Sequence, residues 1–374
     1  MITPTTYEVS FHSRDKQCSS SLRPVTGRPR RVFELNPLLD PRWKTFVDSH
    51  PDASVFHQVE WLQALEACYG YAAVALTLNP PGSPLENGLV LCEVRSRLTG
   101  NRLVSIPFSD HCEPLINDPE ELELFVENLA ERVEKSGWKY FELRPILHTP
   151  EDKTNLGISQ NYYFHRLDLR PSEQTLFKAF HKDSVQRKIR RAERESLRYE
   201  EGTSETLLQH FYKLMITTRR RQGLPPQPLS WFRSLVTSMG RNAQIRVALK
   251  AETPVASILT LTTRRSLVYK YGCSDGRFSN LGGTPLLFWN AIQQAKANGL
   301  EELDMGRSDI ANTGLMTFKE HWGAKRSAVN YWRYPLKSAS SNPERLIRYA
   351  KKLISVAPDQ ALILLGNLLY RHVG

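Results

Sequence analysis

Gly299-Leu-Glu-Glu-Leu-Asp-Met-Gly-Arg-Ser-Asp-Ile-Ala-Asn-Thr-Gly-Leu-Met-Thr-Phe-Lys-Glu-His-Trp-Gly323 is the densest run of polar chemistry in the chain. The spacing predicts a short strand over 300–305 that stops at Gly306-Arg307, a polar loop over 308–313, and a helix over roughly 314–321 carrying Lys319. A strand that ends on glycine and then presents Arg, Ser and Asp builds a polar cup at a sheet edge, with Lys319 in reach. Arginine forks onto a carboxylate or phosphate and lysine adds a mobile point charge, so the pair suits an anionic group. A loop that is basic only because it is solvated fits the same residues.

Outward from this run, the elements repeat. Upstream lie a helix over 285–298 and strands over 244–250, 255–262 and 266–273. Before these come helices over 172–181, 184–197 and 205–221 and a strand over 164–169, and the last strand covers 328–334. The first half gives a strand over 32–35, helices over 41–47 and 59–69, strands over 71–78, 89–94 and 102–106, a helix over 120–135 and a strand over 138–143. Trp61, Leu62, Leu65 and Cys68 fall on one helical face. Lys135-Ser136-Gly137-Trp138 leading to Leu143-Arg144 echoes Ala297-Asn298-Gly299-Leu300 leading to Gly306-Arg307. The expectation is an α/β protein of two similar domains, 31–150 and 164–336, joined by a linker over 144–163. A flexible tail, 1–30, precedes them and a helical tail, 337–374, follows.

With 374 residues the chain has room for two cores. Its net charge of +11 favours anionic partners. Five scattered cysteines make neither a disulfide framework nor a metal motif, and ten histidines show no paired ligand spacing. With no apolar leader and no run of membrane-spanning length, the sequence reads as cytoplasmic and metal-free.

The run Asp304-Met305-Gly306-Arg307-Ser308, then Gly314-Leu315, Phe318-Lys319 and Trp322-Gly323-Ala324, resembles the signature of Fem-like acyltransferases over roughly residues 31–336. These include aminoacyl-tRNA-dependent ligases of peptidoglycan cross-bridges and acetyltransferase-like relatives linked to exopolysaccharide synthesis. The resemblance implies two tandem GNAT (N-acyltransferase) domains. It also implies an enzyme that moves an acyl or aminoacyl group onto an amine of a cell-envelope or polysaccharide precursor. Lys319 would face the donor and support the transition state, with Asp304 and Arg307 on the adjoining strand end.

Other segments carry candidate roles. Asp183 to Gln186 has capping-box form, and Arg187, Arg191, Arg194 and Arg198 then recur along one helical stripe that suits phosphates in RNA, a nucleotide-sugar or a lipid headgroup. A solvated helix face is the alternative. Gly282-Gly283-Thr284-Pro285 opens a helix with Thr284 as expected N-cap, an anion seat where a GNAT fold holds the pyrophosphate of acyl-CoA. Its spacing departs from the usual GNAT loop, which leaves aminoacyl-tRNA open as donor. Alternation around Lys270 puts Tyr269 and Tyr271 on one strand face, and Tyr271 is a candidate proton donor. Asp110 and His111 sit in a loop that can face a cleft between domains. The acceptor amine would be carried by a nucleotide- or lipid-linked sugar. The tail, with Arg345, Arg348, Lys351 and Lys352 ahead of Ala361 to Leu365, either docks on the protein or lies on a membrane surface. A non-catalytic RNA or phospholipid binder on the same scaffold is the remaining class.

Overall fold

The computed structural model describes residues 31–150, 156–336, 354 and 356–373. The expected tail 1–30 and the four basic residues at 345–352 lie outside them. In the first half β1 (Phe33–Leu35), α1 (Pro41–Ser49), α2 (Val59–Tyr69), β2 (Ala72–Thr77), β3 (Leu89–Val94), β4 (Arg102–Val104), α3 (Pro119–Ser136) and β5 (Phe141–Leu143) follow the expected order. Asp118 caps α3 through its carboxylate, Pro119 sits at its first turn, and Gly137 ends it at φ 67°.

The second half holds β6 (Gly157–Asp168), α4 (Glu173–Ala179), α5 (Arg187–Arg194), β7 (Arg198–Gly202), α6 (Glu205–Gln222) and α7 (Leu229–Met239). Then come β8 (Ala243–Lys250), β9 (Thr253–Thr262), β10 (Ser266–Ser274), α8 (Gly283–Ala297), β11 (Glu302–Asp309), α9 (Thr313–Glu320) and β12 (Lys325–Tyr334). Helix α10 (Asp359–Leu369) lies in the tail.

The twelve strands among the described residues form one sheet, in the order β1-β2-β3-β4-β5-β12-β6-β11-β10-β9-β8-β7. β12 leaves the second half and runs between β6 and β5, pairing with both. Residues 157–163, expected in the linker, belong to β6 because Ala328 to Arg333 runs antiparallel to them, with one irregularity between Tyr331 and Trp332. Single-strand patterning misses such pairing.

On one face of the second half, α8 packs Leu287, Phe288 and Ile292 against Leu167, Leu267 and Leu303. On the other, Val268, Tyr271 and Cys273 share a core with α6, α7 and first-half residues. Trp61 of α2 meets Trp231 of α7 edge to face at 5.4 Å, and both are fully buried. This seam brings the first-half loop 105–113 against β10 and β11. Helix α10 docks: Arg220 pairs with Asp359, Tyr71 donates its hydroxyl to Tyr370 O at 3.1 Å, and Leu362 is buried. No helix among the described residues is long and apolar enough to cross a membrane.

Candidate functional site

β10 and β11 run parallel for three residue pairs, Ser266↔Glu302 to Val268↔Asp304. Beyond that point β10 bulges between Tyr269 and Tyr271, and β11 between Asp304 and Arg307. Each strand then follows its other neighbour, so the two part and a wedge opens. Gly306 takes φ 69° at the β11 bulge. A Cβ there would lie 3.1 Å from Asp110 Oδ2, so glycine serves both the conformation and the close approach.

The strand end is pinned from two sides. Lys319, 1% exposed, donates from Nζ to Gly306 O at 2.8 Å and Arg307 O at 2.9 Å. Asp304 accepts from Gly306 N through Oδ1 at 2.6 Å and pairs with His111 Nε2 through Oδ2 at 3.0 Å. Burial lowers the Lys319 ammonium to about 8, with Asp110 and Asp304 opposing the shift.

Lys270 projects from the β10 bulge toward the first half. Its Nζ lies 2.7 Å from Asp110 Oδ2, and the rings of Phe56, Tyr271 and Trp61 stand 5.1, 5.6 and 5.8 Å from it. Burial would raise the Asp110 carboxyl, but the charges of Lys270 and Arg307 and the Lys270 hydrogen bond hold it at about 2. The Arg307 guanidinium lies over Tyr162 and Tyr331, 4.2 and 4.9 Å from the ring centres. Arg144 approaches Tyr331 at 4.7 Å, so the echoed arginines of the two halves meet at one ring of β12.

An open cleft of about 830 Å³ leads to this cluster. Asp304, His111 and Val268 line it together with Glu113, Arg166 and the turn 263–266. Val268 and Asp304 form the last pair before β10 and β11 part, so the cleft ends where the wedge begins.

Residues 179–320, which contain the parted strands, match the model of the acetyltransferase (GNAT) domain. The described residues have a tandem GNAT-like fold. The chain superposes on FemX with a TM-score of 0.63 at 14% identity, covering 83% of this chain and 97% of that one. A tandem GNAT protein from the clavulanic acid biosynthesis pathway gives 0.53 at 12% identity, over 83% of this chain and 99% of that one. No curated protein matches the chain at a significant level.

The sequence-derived candidates divide. Lys319, Asp304, Gly306 and Arg307 converge at the wedge, joined by Asp110, His111 and Lys270. Tyr271 sits apart. Its hydroxyl accepts from Trp231 Nε1 at 2.9 Å inside the core, and burial pushes its pKa up. The β10 bulge also places Tyr269 and Tyr271 in different cores, so they do not share a face.

Gly282, not Thr284, is the N-cap of α8, at φ 82°. A Cβ on Gly282 would lie 2.1 Å from Lys188 O, and one on Gly283 3.1 Å from Ala256 Cβ. Close packing of α5 and the sheet thus accounts for both glycines, and Thr284 lies within the first turn.

The arginine stripe also changes. The cap ahead of α5 is His181, whose Nδ1 accepts from Ser184 N, rather than Asp183. Ser196 at φ 51° breaks the helix, and Arg198 stands on β7 beside Glu200 and Glu252. Arg187 and Arg191 pair with Asp183 and Glu195 one turn away, while Arg194 is exposed with no ion pair among the described residues. Three of the four guanidinia are therefore compensated. Lys270 and the rings of Tyr162 and Tyr331 escaped sequence reading, since Lys270 and Tyr331 look like ordinary strand alternation and Tyr162 falls in the expected linker until the bulges and the return of β12 are known. No cluster that would hold a metal occurs among the described residues.

Proposed function

We propose that the protein transfers an acyl or aminoacyl group directly to the amine of a cell-envelope or polysaccharide precursor. The parting of β10 and β11 beside buried Lys319 carries this reading. The first and second halves act as a pair, the second holding the donor, with α10 docked. The donor's acyl carbon lies in the wedge and the acceptor amine enters through the cleft. The Lys319 ammonium, protonated at neutral pH with its pKa near 8, supplies positive charge where a tetrahedral oxyanion forms. A fixed charge in a site closed to water acts without reorganisation.

Acyl-CoA is the favoured donor. β7 separates α5 from α6, so the basic segment builds no long helical arm, and most of its arginines are neutralised locally. Thermal shift with acetyl-CoA, longer acyl-CoAs and charged tRNA tests the choice, because a ligand bound only to the folded state raises Tm. Stabilisation by an acyl-CoA that disappears in Lys319→Ala supports the reading. A response to tRNA alone moves the protein to the aminoacyl-tRNA ligases. Silence toward every donor leaves a non-catalytic binder of RNA or phospholipid.

A further inference from the structure

Three buried histidines lie around the wedge, and their surroundings differ. His57 uses both ring nitrogens, Nδ1 accepting from Ser54 N at 3.0 Å and Nε2 meeting Glu113 O at 2.8 Å. His165 is 0% exposed on β6, and neither of its nitrogens makes a hydrogen bond among the described residues, Nε2 lying 4.0 Å from Glu320 Oε1. His111 is 7% exposed, lines the cleft, and is wedged edge-on between the rings of Phe56 and Phe164 at 5.3 and 5.0 Å. Its Nε2 faces Asp304 Oδ2, while Nδ1 makes no hydrogen bond among the described residues.

A carboxylate accepts hydrogen bonds, so beside Asp304 the Nε2 position carries the proton. In the neutral ring Nδ1 is then the free acceptor. Asp304 is itself fixed, because its other oxygen accepts from Gly306 N. A continuous set of contacts runs from His111 through Asp304 and Gly306 to Lys319, with Gly306 O accepting from Lys319 Nζ. The imidazole at the cleft floor is thus held in register with the ammonium at the wedge.

We propose that His111 is the base that removes the proton from the acceptor amine, with Asp304 as the residue that positions it. This rests on the transferase reading above. The amine nitrogen attacks the acyl carbon of a thioester or ester donor, forming the C–N bond. The proton from nitrogen passes to His111 Nδ1. The C–S or C–O bond then breaks, and the departing thiolate or alkoxide takes up the proton that the imidazolium releases. The net change is one amide and one thiol or alcohol from one amine and one activated acyl group. The cleft therefore selects a primary amine narrow enough to reach the ring between Phe56 and Phe164.

The test uses full-length protein with acetyl-CoA, or alanyl-tRNA if only tRNA raises Tm, and glucosamine and glycinamide as amine probes. His111→Ala, His111→Gln and Asp304→Asn are compared with wild type after unfolding curves confirm that each is folded. Loss of a general base lowers kcat by about 10²–10⁴-fold, with the acceptor KM within about twofold of wild type. Added imidazole restores part of the rate to His111→Ala, whose missing ring leaves room for it, but none to Asp304→Asn. Wild-type rates in His111→Ala and His111→Gln, or a loss confined to KM, would overturn the assignment while the transferase reading stands. A wild-type protein silent with both amines and both donors would overturn both.

Discussion

Replacing Asp110 by Asn strands the Lys270 ammonium in a pocket built for an ion pair. Lys270 has 6% of its side chain exposed and is ringed by Phe56, Trp61 and Tyr271. Its carboxylate partner is held at about 2 against an ordinary 3.8. That difference corresponds to roughly 2 kcal/mol favouring the ionised over the protonated carboxyl in the folded state. Removing one partner of a buried pair costs about 3–5 kcal/mol, because the remaining charge keeps its desolvation penalty. Asp110→Asn should therefore lose about 3 kcal/mol in urea unfolding at neutral pH. Asp110→Asn with Lys270→Met should recover at least half of the loss, since a thioether suits the three rings. The pH dependence is a second check. The folded pKa is depressed, so this stabilisation is present above the unfolded value of 3.8 and fades as pH falls toward 2. That part of the acid limb should be missing in Asp110→Asn. A loss under about 1 kcal/mol, or a double variant no more stable than the single, would refute the view that the pair is buried and mutually dependent.

Four other outcomes follow from the same geometry. Lys319→Ala should fold and lose about 10²-fold or more in transfer rate, by comparison with removal of an oxyanion donor, measured in single turnover. Because Lys319 titrates near 8 in the fold against 10.5 when free, wild-type stability should rise by up to about 1.4 kcal/mol per pH unit between those values, and Lys319→Met should flatten the rise below pH 10 in chemical denaturation. Gly306→Ala should cost about 1–2 kcal/mol for its left-handed backbone alone, with the carboxylate of Asp110 crowded as well, as read from unfolding midpoints. Gly366→Ala places a Cβ 1.9 Å from Pro226 O and should loosen α10, which limited proteolysis would report as faster cleavage near the C-terminus.

The order of elements was legible because most are announced locally. Pro119 and Gly137 bracket α3, and apolar runs separated by polar turns near 252 and at 263–265 mark β8 to β10. The helix α7 went unread, since Leu229 to Met239 follows a Pro-rich stretch and has no side-chain cap. β7 went unread: the expected helix stops at 197 while Arg198 continues the basic spacing, and only Ser196 at positive φ and the pairing with β8 reveal a strand. At the site, the gathering of Lys319, Asp304 and Arg307 was readable from one contiguous run. The partners from the other half were visible only as a polar loop, since no local pattern says that Asp110 meets Lys270 across 160 residues. The bulge beside Tyr271 reverses the face that simple alternation assigns, and no side-chain periodicity encodes it.

The path of β12 bears on how the protein is made. β5 is complete as a strand by residue 143, yet its outer edge waits for Trp332 to Tyr334, close to two hundred residues later in synthesis. Until the ribosome has released that segment, the nascent first half carries a bare strand edge that can pair with another chain. A gene cut at the apparent midpoint would leave this edge open permanently. Separately expressed halves should therefore collect in insoluble material, whereas a circular permutant that begins at β12 and continues into β1 would close the edge early and fold with less help from chaperones.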